Sequence, residues 1–141
     1  MQQRLSVKTN EEFEPTRISW REIDGLVHPA TTARREEQAM ELCEAVIDIT
    51  AALFNVSSKD LRKSGRSTLS VSRVRQVAMY VSHVVLRLNM ADIGKAFGRD
   101  RTTVLYACHL VEDLRDDDDF DRIITMTERV VAAAFGERAG C

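Results

Sequence analysis

Residues 89–114 read NMADIGKAFGRDRTTVLYACHLVEDL and decide the fold. Asn89 can cap a short helix over residues 90–97, and Gly98 is a natural stop at its C-terminus. After a three-residue turn, Asp100 can cap a second helix. The apolar residues of this second helix recur at helical spacing: Val104, Ala107, Cys108, Val111 and Leu114. Two helices joined by a short turn that contains glycine form the pattern of a helix-turn-helix.

The chain before this pair predicts one long and one short helix. The long helix is expected to begin at Thr31 or Thr32, with Thr32 as its N-cap, and to end at Asn55. A short turn of helix should follow, capped by Ser57 or Ser58.

Residues 63–68 are basic and small, which is typical of a loop. A third long helix is expected to begin near Ser70 or Ser72, because residues 74–88 carry an apolar stripe at three- and four-residue steps. A last helix is predicted over residues 120–135. The sequence therefore predicts an all-α fold of five to six helices that contains a helix-turn-helix.

The chain has 141 residues, 44% hydrophobic and 30% charged, which is about the length of one globular domain. We expect a flexible N-terminal arm over residues 1–30, a helical domain over residues 31–135 and a flexible tail over residues 136–141. No apolar run approaches the roughly 18 residues that span a bilayer, and the first residues lack the core of a signal peptide. These features predict a cytoplasmic protein with no membrane contact.

The sequence offers little that an enzyme or a metal site would need. It has three cysteines without a Cys-x-x-Cys pair, which disfavours a disulfide framework or a zinc cluster. No nucleophile–base pairing and no metal-ligand spacing stand out. We therefore expect no catalytic activity, no metal and no cofactor.

Charge is distributed unevenly along the chain. The net charge is −2, but residues 57–111 carry ten Lys or Arg and three Asp or Glu, a local net of +7. A basic middle between acidic ends suggests an anionic partner, although runs of charge are often solvated helix faces.

In a helix-turn-helix the second helix enters the major groove of DNA, and its N-terminal residues meet base edges. Arg101 can bind guanine O6 and N7 through two hydrogen bonds, and Thr102 offers a hydroxyl and a methyl group. Arg66, in the basic loop, is placed to enter the minor groove. Basic and polar residues on the neighbouring helices can hold phosphates, which position a protein without reading sequence.

Two separated motifs resemble the C-terminal DNA-binding domain of DnaA, the bacterial replication initiator. Residues 73–80, RVRQVAMY, are similar to the family's Arg-Pro-Arg-Gln stretch. Residues 92–104, DIGKAFGRDRTTV, are similar to its Ile-Gly-x-x-Phe helix and its Gly-Arg-Asp-His-Thr-Thr-Val signature. The likeness covers roughly residues 35–135 and implies a domain that binds double-stranded DNA at short A·T-rich boxes.

The resemblance adds Asp100 to the base contacts and assigns a phosphate clamp to Arg75 and Gln76. The expected base contacts are Arg101, Thr102, Asp100 and Arg66. The expected phosphate contacts are Thr103, Arg75, Gln76, Arg73, His83, Lys95, Arg99 and Tyr106.

The chain also departs from the family pattern. Arg101 stands where the family has a base-reading His, which leaves the preferred base open. Gly98 is single where the family has Gly-Gly, and Val74 replaces a proline. The basic loop, dense in Arg within the family, keeps Lys63 and Arg66.

The family's ATPase module needs a phosphate loop of the form Gly-x-x-x-x-Gly-Lys-Ser/Thr. Here Gly94-Lys95 is followed by Ala96, so we expect no nucleotide binding. These observations predict a free-standing DnaA-like regulator of transcription or of replication initiation, which acts by occupying sites on nucleoid DNA. Its oligomeric state is open between a monomer and a homodimer. The alternative is a protein-interaction module that uses the arm around Trp20 and binds an acidic partner through its basic helices.

Overall fold

The computed structural model describes residues 29–135, with side chains from residue 32 onward. The chain divides into two compact units, residues 1–35 and 36–141, and most of the first lies outside the described residues, as does the predicted tail. The described part contains six helices and no strand: α1 (Pro29–Phe54), α2 (Ser58–Arg62), α3 (Leu69–Val84), α4 (Met90–Phe97), α5 (Arg101–Leu114) and α6 (Asp118–Ala134). The prediction of an all-α fold is confirmed.

Three helices begin earlier than predicted. α1 begins at Pro29, because proline suits the first helical position, whose N–H has no helical partner. Thr32 therefore lies inside α1, and its predicted role as N-cap is wrong. α3 is capped by Thr68, whose hydroxyl accepts the Val71 N–H, rather than by a serine further on. α6 begins inside the aspartate run, because acidic side chains stabilise a helix N-terminus.

Other boundaries agree with the sequence pattern. α1 ends one residue before Asn55, which adopts a left-handed φ of 55°. Ser57 caps α2 by accepting two backbone N–H groups, and Asn89 caps α4 by accepting the Asp92 N–H. α4 covers residues 90–97, as predicted.

The core lies where α3 packs against α5, with α4 and α6 beside them. Its fully buried apolar side chains come from all of α1 to α6: Val46, Ile47, Leu61, Val77, Val81, Ile93, Val104, Val111, Ile124 and Val131. The valines of α3 show that helical periodicity outweighs the strand preference of β-branched residues here. This core fixes α5 so that only one of its faces reaches solvent.

Two further findings concern the described residues alone. Over residues 29–135, no helix has the length and apolar character needed to cross a membrane. The same region holds no group of three or more His, Cys, Asp or Glu side chains arranged to bind a metal ion.

Candidate nucleic-acid interface

The turn between α4 and α5 is built from two glycines with different functions. Gly98 ends α4 in the left-handed region, at φ 65°, where an L side chain is strained. The Arg99 N–H donates to the Gly94 carbonyl over 2.8 Å and closes the turn. Gly94 lies inside α4, and a Cβ atom there would be 2.6 Å from the Arg99 carbonyl oxygen. The turn therefore requires a residue without a side chain at position 94.

The first turn of α5 presents its side chains to solvent. Arg101, Thr102 and Thr103 are exposed, whereas Val104 is fully buried and anchors the helix to the core. Asp100 occupies the N-cap position, but its carboxylate accepts no capping hydrogen bond, contrary to the prediction that it caps the helix. On the next turn Tyr106 is 63% exposed. The predicted groove-facing residues thus share one accessible helix end.

A notch of about 80 Å³ lies between α3 and the start of α5. Its lining residues come from three elements: Ser72, Arg75, Gln76, Met79, Arg99, Thr103, Tyr106 and Ala107. Five of them belong to the eight predicted phosphate contacts. The fold therefore gathers residues far apart in sequence beside the exposed end of α5. We refer to this cavity as the notch.

Arg75 sits at the buried side of the notch and is 5% exposed. Its Nε donates to the Leu61 carbonyl over 3.0 Å and its Nη2 donates to the Asp60 carbonyl over 3.0 Å. Its Nη1 donates to Ser67 Oγ over 3.2 Å. Burial, and then the nearby Arg99 charge, lower the pKa of Arg75. The guanidinium therefore donates to two carbonyls of α2 and to a hydroxyl of the basic loop.

Gln76 and Arg73 lie on α3 at the rim of this region. Arg73 Nη1 donates to Gln76 Oε1 over 2.9 Å, so the Gln76 amide nitrogen remains as its donor group. Arg99 spans two segments, because its Nη1 donates to the Phe97 carbonyl and its Nη2 donates to the Lys63 carbonyl over 3.2 Å.

Three other predicted contacts, His83, Lys95 and Arg66, do not line the notch. His83 Nδ1 is 2.9 Å from the Leu88 carbonyl, and its ring lines a separate groove of about 200 Å³ with Tyr80 and His109. Lys95 is paired with Glu36 of α1, with 3.1 Å between Nζ and Oε2. Arg66 is exposed in the basic loop, residues 63–68.

A polar cluster at the far end of α5 is not predicted from the sequence. Arg115 donates to the Tyr80 hydroxyl over 3.0 Å, to Glu128 over 2.8 Å and to Thr125 over 2.9 Å. Burial opposes the charge of Arg115, but the hydrogen bonds to Asp121 and Glu128 raise its pKa above the ordinary value. No sequence spacing indicates this cluster, because its members come from α3, the α5–α6 turn and α6.

Comparison with known proteins connects this architecture to a family. Residues 43–111 match the family described as the bacterial DnaA protein helix-turn-helix. This part of the chain is therefore similar to the DnaA helix-turn-helix domain. The match spans the end of α1, the basic loop, the notch and nearly all of α5, so the resemblance seen in two short motifs is confirmed. The family is defined by a helix-turn-helix and not by a catalytic domain.

Several curated relatives are chromosomal replication initiator proteins DnaA. The protein from Brucella abortus is 38% identical over 105 residues, which cover 74% of this chain and 20% of that protein. The protein from Mesorhizobium japonicum is 43% identical over 76 residues, or 53% of this chain and 15% of that protein. The chain thus spans about a fifth, or less, of the length of these two relatives.

A solved structure shows the same fold. The crystal structure of a DNA replication initiation factor superposes with a TM-score of 0.64 at 24% sequence identity. The superposition covers 72% of this chain and 32% of that one. This likeness shows that the chain shares its all-α fold with part of that initiation factor.

Proposed function

We propose that the described domain binds double-stranded DNA, with the start of α5 in the major groove. The observation that carries this proposal is the notch, which gathers predicted phosphate contacts at the base of an exposed helix end. A backbone phosphate held there would bring the adjacent residues of α5 to the base edges. The DnaA helix-turn-helix match supports DNA binding by this region.

Base recognition in this proposal comes from the first turn of α5. Arg101 would contact guanine, and Thr102 would contact a thymine methyl group or a hydrogen-bonding base edge. Arg101 is exposed at the start of α5, so its guanidinium faces solvent where DNA would approach. The Asp100 carboxylate makes no capping hydrogen bond, so it can accept one from a cytosine amino group.

Phosphate binding comes from the notch and from the surfaces around it. Thr103, Gln76, Arg99 and Tyr106 line the notch and supply donors of different reach. Outside it, the proposal keeps phosphate contacts for Arg73, Lys95 and His83, and a minor-groove contact for Arg66. Arg75 is treated separately below.

At the level of the cell, we propose a regulator of transcription or of replication initiation that works by occupying DNA sites. Such a protein would lie in the cytoplasm and be associated with the nucleoid. Neither a nucleotide nor catalysis is needed for this mode of action. Analytical ultracentrifugation of the DNA complex would measure the number of protein copies per duplex, and so whether two copies bind adjacent sites.

The test is fluorescence anisotropy with a labelled A·T-rich box duplex and a scrambled duplex of the same composition. We expect preference for one sequence, and affinity that falls steeply as salt rises, with a slope of about −0.9 per phosphate contact. Arg101→Ala should reduce discrimination at one base pair by about 1–3 kcal/mol. Arg122→Gln is the matched control, because Arg122 is an exposed arginine of α6, beyond the opposite end of α5.

Two outcomes would count against the proposal. If the wild-type chain binds neither duplex near physiological salt, DNA binding by this surface is wrong, and capture of an acidic protein partner becomes the better hypothesis. If Arg101→Ala binds both duplexes as wild type does, the start of α5 does not read the groove.

A further inference from the structure

One guanidinium joins both ends of the basic loop. The acceptors for Arg75 are the carbonyls of Asp60 and Leu61, where α2 ends, and the hydroxyl of Ser67, just before α3. The exposed loop residues, including Arg66, lie between these two attachment points. A single planar group therefore sets the separation between the loop's entrance and its exit.

Arg75 supplies donors to two carbonyls at the C-terminus of α2, of which the Asp60 carbonyl also accepts the Lys63 N–H over 3.3 Å. The last carbonyls of a helix have no partner within it, and α2 has five residues. The donors of Arg75 supply such partners from a side chain that is itself only 5% exposed. Arginine suits this position because its fork of N–H groups is rigid, whereas the ammonium of lysine is a single point of charge.

A second arginine connects the same loop to the helix-turn-helix. Arg99 Nη2 donates to the Lys63 carbonyl at the start of the loop. Arg99 is also the residue between Gly98 and Asp100 in the turn before α5. The position of the loop is therefore tied to the start of α5, which would enter the major groove.

We propose that Arg75 is a positioning residue, which holds the basic loop so that Arg66 meets DNA, and does not itself neutralise a phosphate. The inference rests on the proposed DNA binding. It differs from the phosphate clamp that the family resemblance implies, because three of the five guanidinium N–H groups donate inside the protein and the residue is only 5% exposed.

The first test needs no DNA. Trypsin cleaves after Lys and Arg, so Lys63 and Arg66 report on opening of the loop, while Arg129 of α6 reports on unfolding elsewhere. In the full chain we expect Arg75→Gln and Arg75→Lys to speed loop cleavage several-fold more than cleavage after Arg129. Gln76→Ala, a change of the neighbouring residue, should leave loop cleavage at the wild-type rate. Mass spectrometry of timed digests measures these rates.

A milder variant keeps the test decisive if the changes at position 75 prevent folding. Ser67→Ala removes one acceptor of Arg75 and changes no charge. We expect it to increase loop cleavage by a smaller factor than Arg75→Gln. Loop cleavage at the wild-type rate in Ser67→Ala, and in whichever Arg75 variants fold, would overturn the proposal.

The second test is a double-mutant cycle on DNA affinity. If Arg75 acts through the loop, Arg66→Ala should weaken duplex binding several-fold in the wild-type background and hardly at all in Arg75→Gln. Arg75→Lys, which keeps the charge, should bind as weakly as Arg75→Gln. Equal losses from Arg66→Ala in both backgrounds, or full affinity in Arg75→Lys, would indicate a direct phosphate contact and overturn the inference. Failure of the wild-type chain to bind any duplex would instead refute the proposed function, and the protease test would still decide whether Arg75 holds the loop.

Discussion

Gly94 faces the carbonyl oxygen of Arg99 so closely that a Cβ atom at position 94 would lie 2.6 Å from it. The contact joins the middle of α4 to the residue that precedes the α5 N-cap. The same Cβ would also be 3.5 Å from the Arg101 nitrogen, where α5 begins. This glycine therefore sets the distance between the two helices of the helix-turn-helix.

Replacing Gly94 with alanine should destabilise the domain. Alanine is favoured over glycine in a helix by about 1 kcal/mol, but forcing an extra carbon against fixed backbone costs about 1–3 kcal/mol or more. We expect a net loss of up to about 2 kcal/mol in the free energy of unfolding, which urea denaturation measures. Duplex binding should also weaken, because the start of α5 must shift. Ala91→Gly, at an exposed position of α4, gives the intrinsic difference between the two residues. A Gly94→Ala variant more stable than wild type would show that the turn tolerates the shift.

The helix-turn-helix could be predicted from sequence because its signals are local. Asn89 and Gly98 act within one turn of their own helix, and both behave as predicted. Glycine inside a helical pattern commonly has a packing reason, so the sequence indicates close packing at position 94. Which atom it accommodates depends on the path of the following turn, and that requires coordinates.

The parts that sequence analysis missed depend on contacts between distant residues. The motif predicts Arg75 at a phosphate but does not indicate its hydrogen bonds to α2, which depend on tertiary packing. Likewise, Lys95 counts as a free cation in the sequence, whereas the fold places it against Glu36, 59 residues away. Net charge therefore identified a basic region without showing which of its cations are already paired.

Asp100 should contribute less to stability than the helix caps that form hydrogen bonds. Its carboxylate makes no capping bond, whereas the Asn89 side chain accepts the Asp92 N–H over 2.8 Å. We expect Asn89→Ala to lower the free energy of unfolding by about 1 kcal/mol and Asp100→Ala by about half of that or less. Thermal denaturation of both variants measures the difference. On DNA, Asp100→Ala should lose preference at one base pair, and equal losses of stability in the two variants would mean that Asp100 acts mainly as a cap.

Neutralising Glu36 should strengthen DNA binding without stabilising the protein. The Lys95–Glu36 pair is solvent-exposed, so its loss should change the free energy of unfolding by no more than about 0.5 kcal/mol. With Glu36→Gln, Lys95 becomes available to a phosphate, and affinity for specific and random duplexes should rise by a similar factor. Anisotropy titrations at several salt concentrations measure this effect.

The control for that experiment is Asp119→Asn, which removes an exposed negative charge on α6, where Asp119 pairs with Arg122. It should affect DNA affinity less than Glu36→Gln does. If Lys95→Ala weakens binding but Glu36→Gln leaves it unchanged, the carboxylate does not compete with DNA for Lys95.

Stability should fall at alkaline pH. Burial raises the pKa of Cys43 and of Cys108 from 9.0 to about 11, and burial together with the Glu112 hydrogen bond raises the pKa of Tyr80 from 10.0 to about 12. The unfolded chain loses these protons first as pH rises, so it binds fewer protons than the native state. The contribution of these three groups to the free energy of unfolding is therefore complete below pH 9 and is lost between pH 9 and 12. Each thiol should account for about 2–3 kcal/mol of the loss in the free energy of unfolding.

Urea denaturation in a reducing buffer at pH 8 to pH 11 would measure this dependence. A Cys43→Ala, Cys108→Ala double variant should be less stable at pH 8, because both thiols are buried in the core. Its free energy of unfolding should nevertheless decline less steeply with pH than that of wild type. Parallel declines in the two proteins would show that the thiols do not carry the alkaline transition.

Arg115→Lys should destabilise the domain while leaving DNA binding intact. The guanidinium bonds partners in α3 and α6 at once, and lysine cannot reproduce that fork. Lysine would leave Tyr80 and Glu128 without some of their hydrogen-bond donors. Because Arg115 is largely buried, we expect a loss of about 1–3 kcal/mol in the free energy of unfolding. Tyr80→Phe, which removes the shared hydroxyl alone, should cost less. Duplex affinity should match wild type at temperatures where the variant is folded, because the start of α5 is a full helix length away. Weakened binding by folded Arg115→Lys would instead mean that the docking of α6 controls the orientation of the helix-turn-helix.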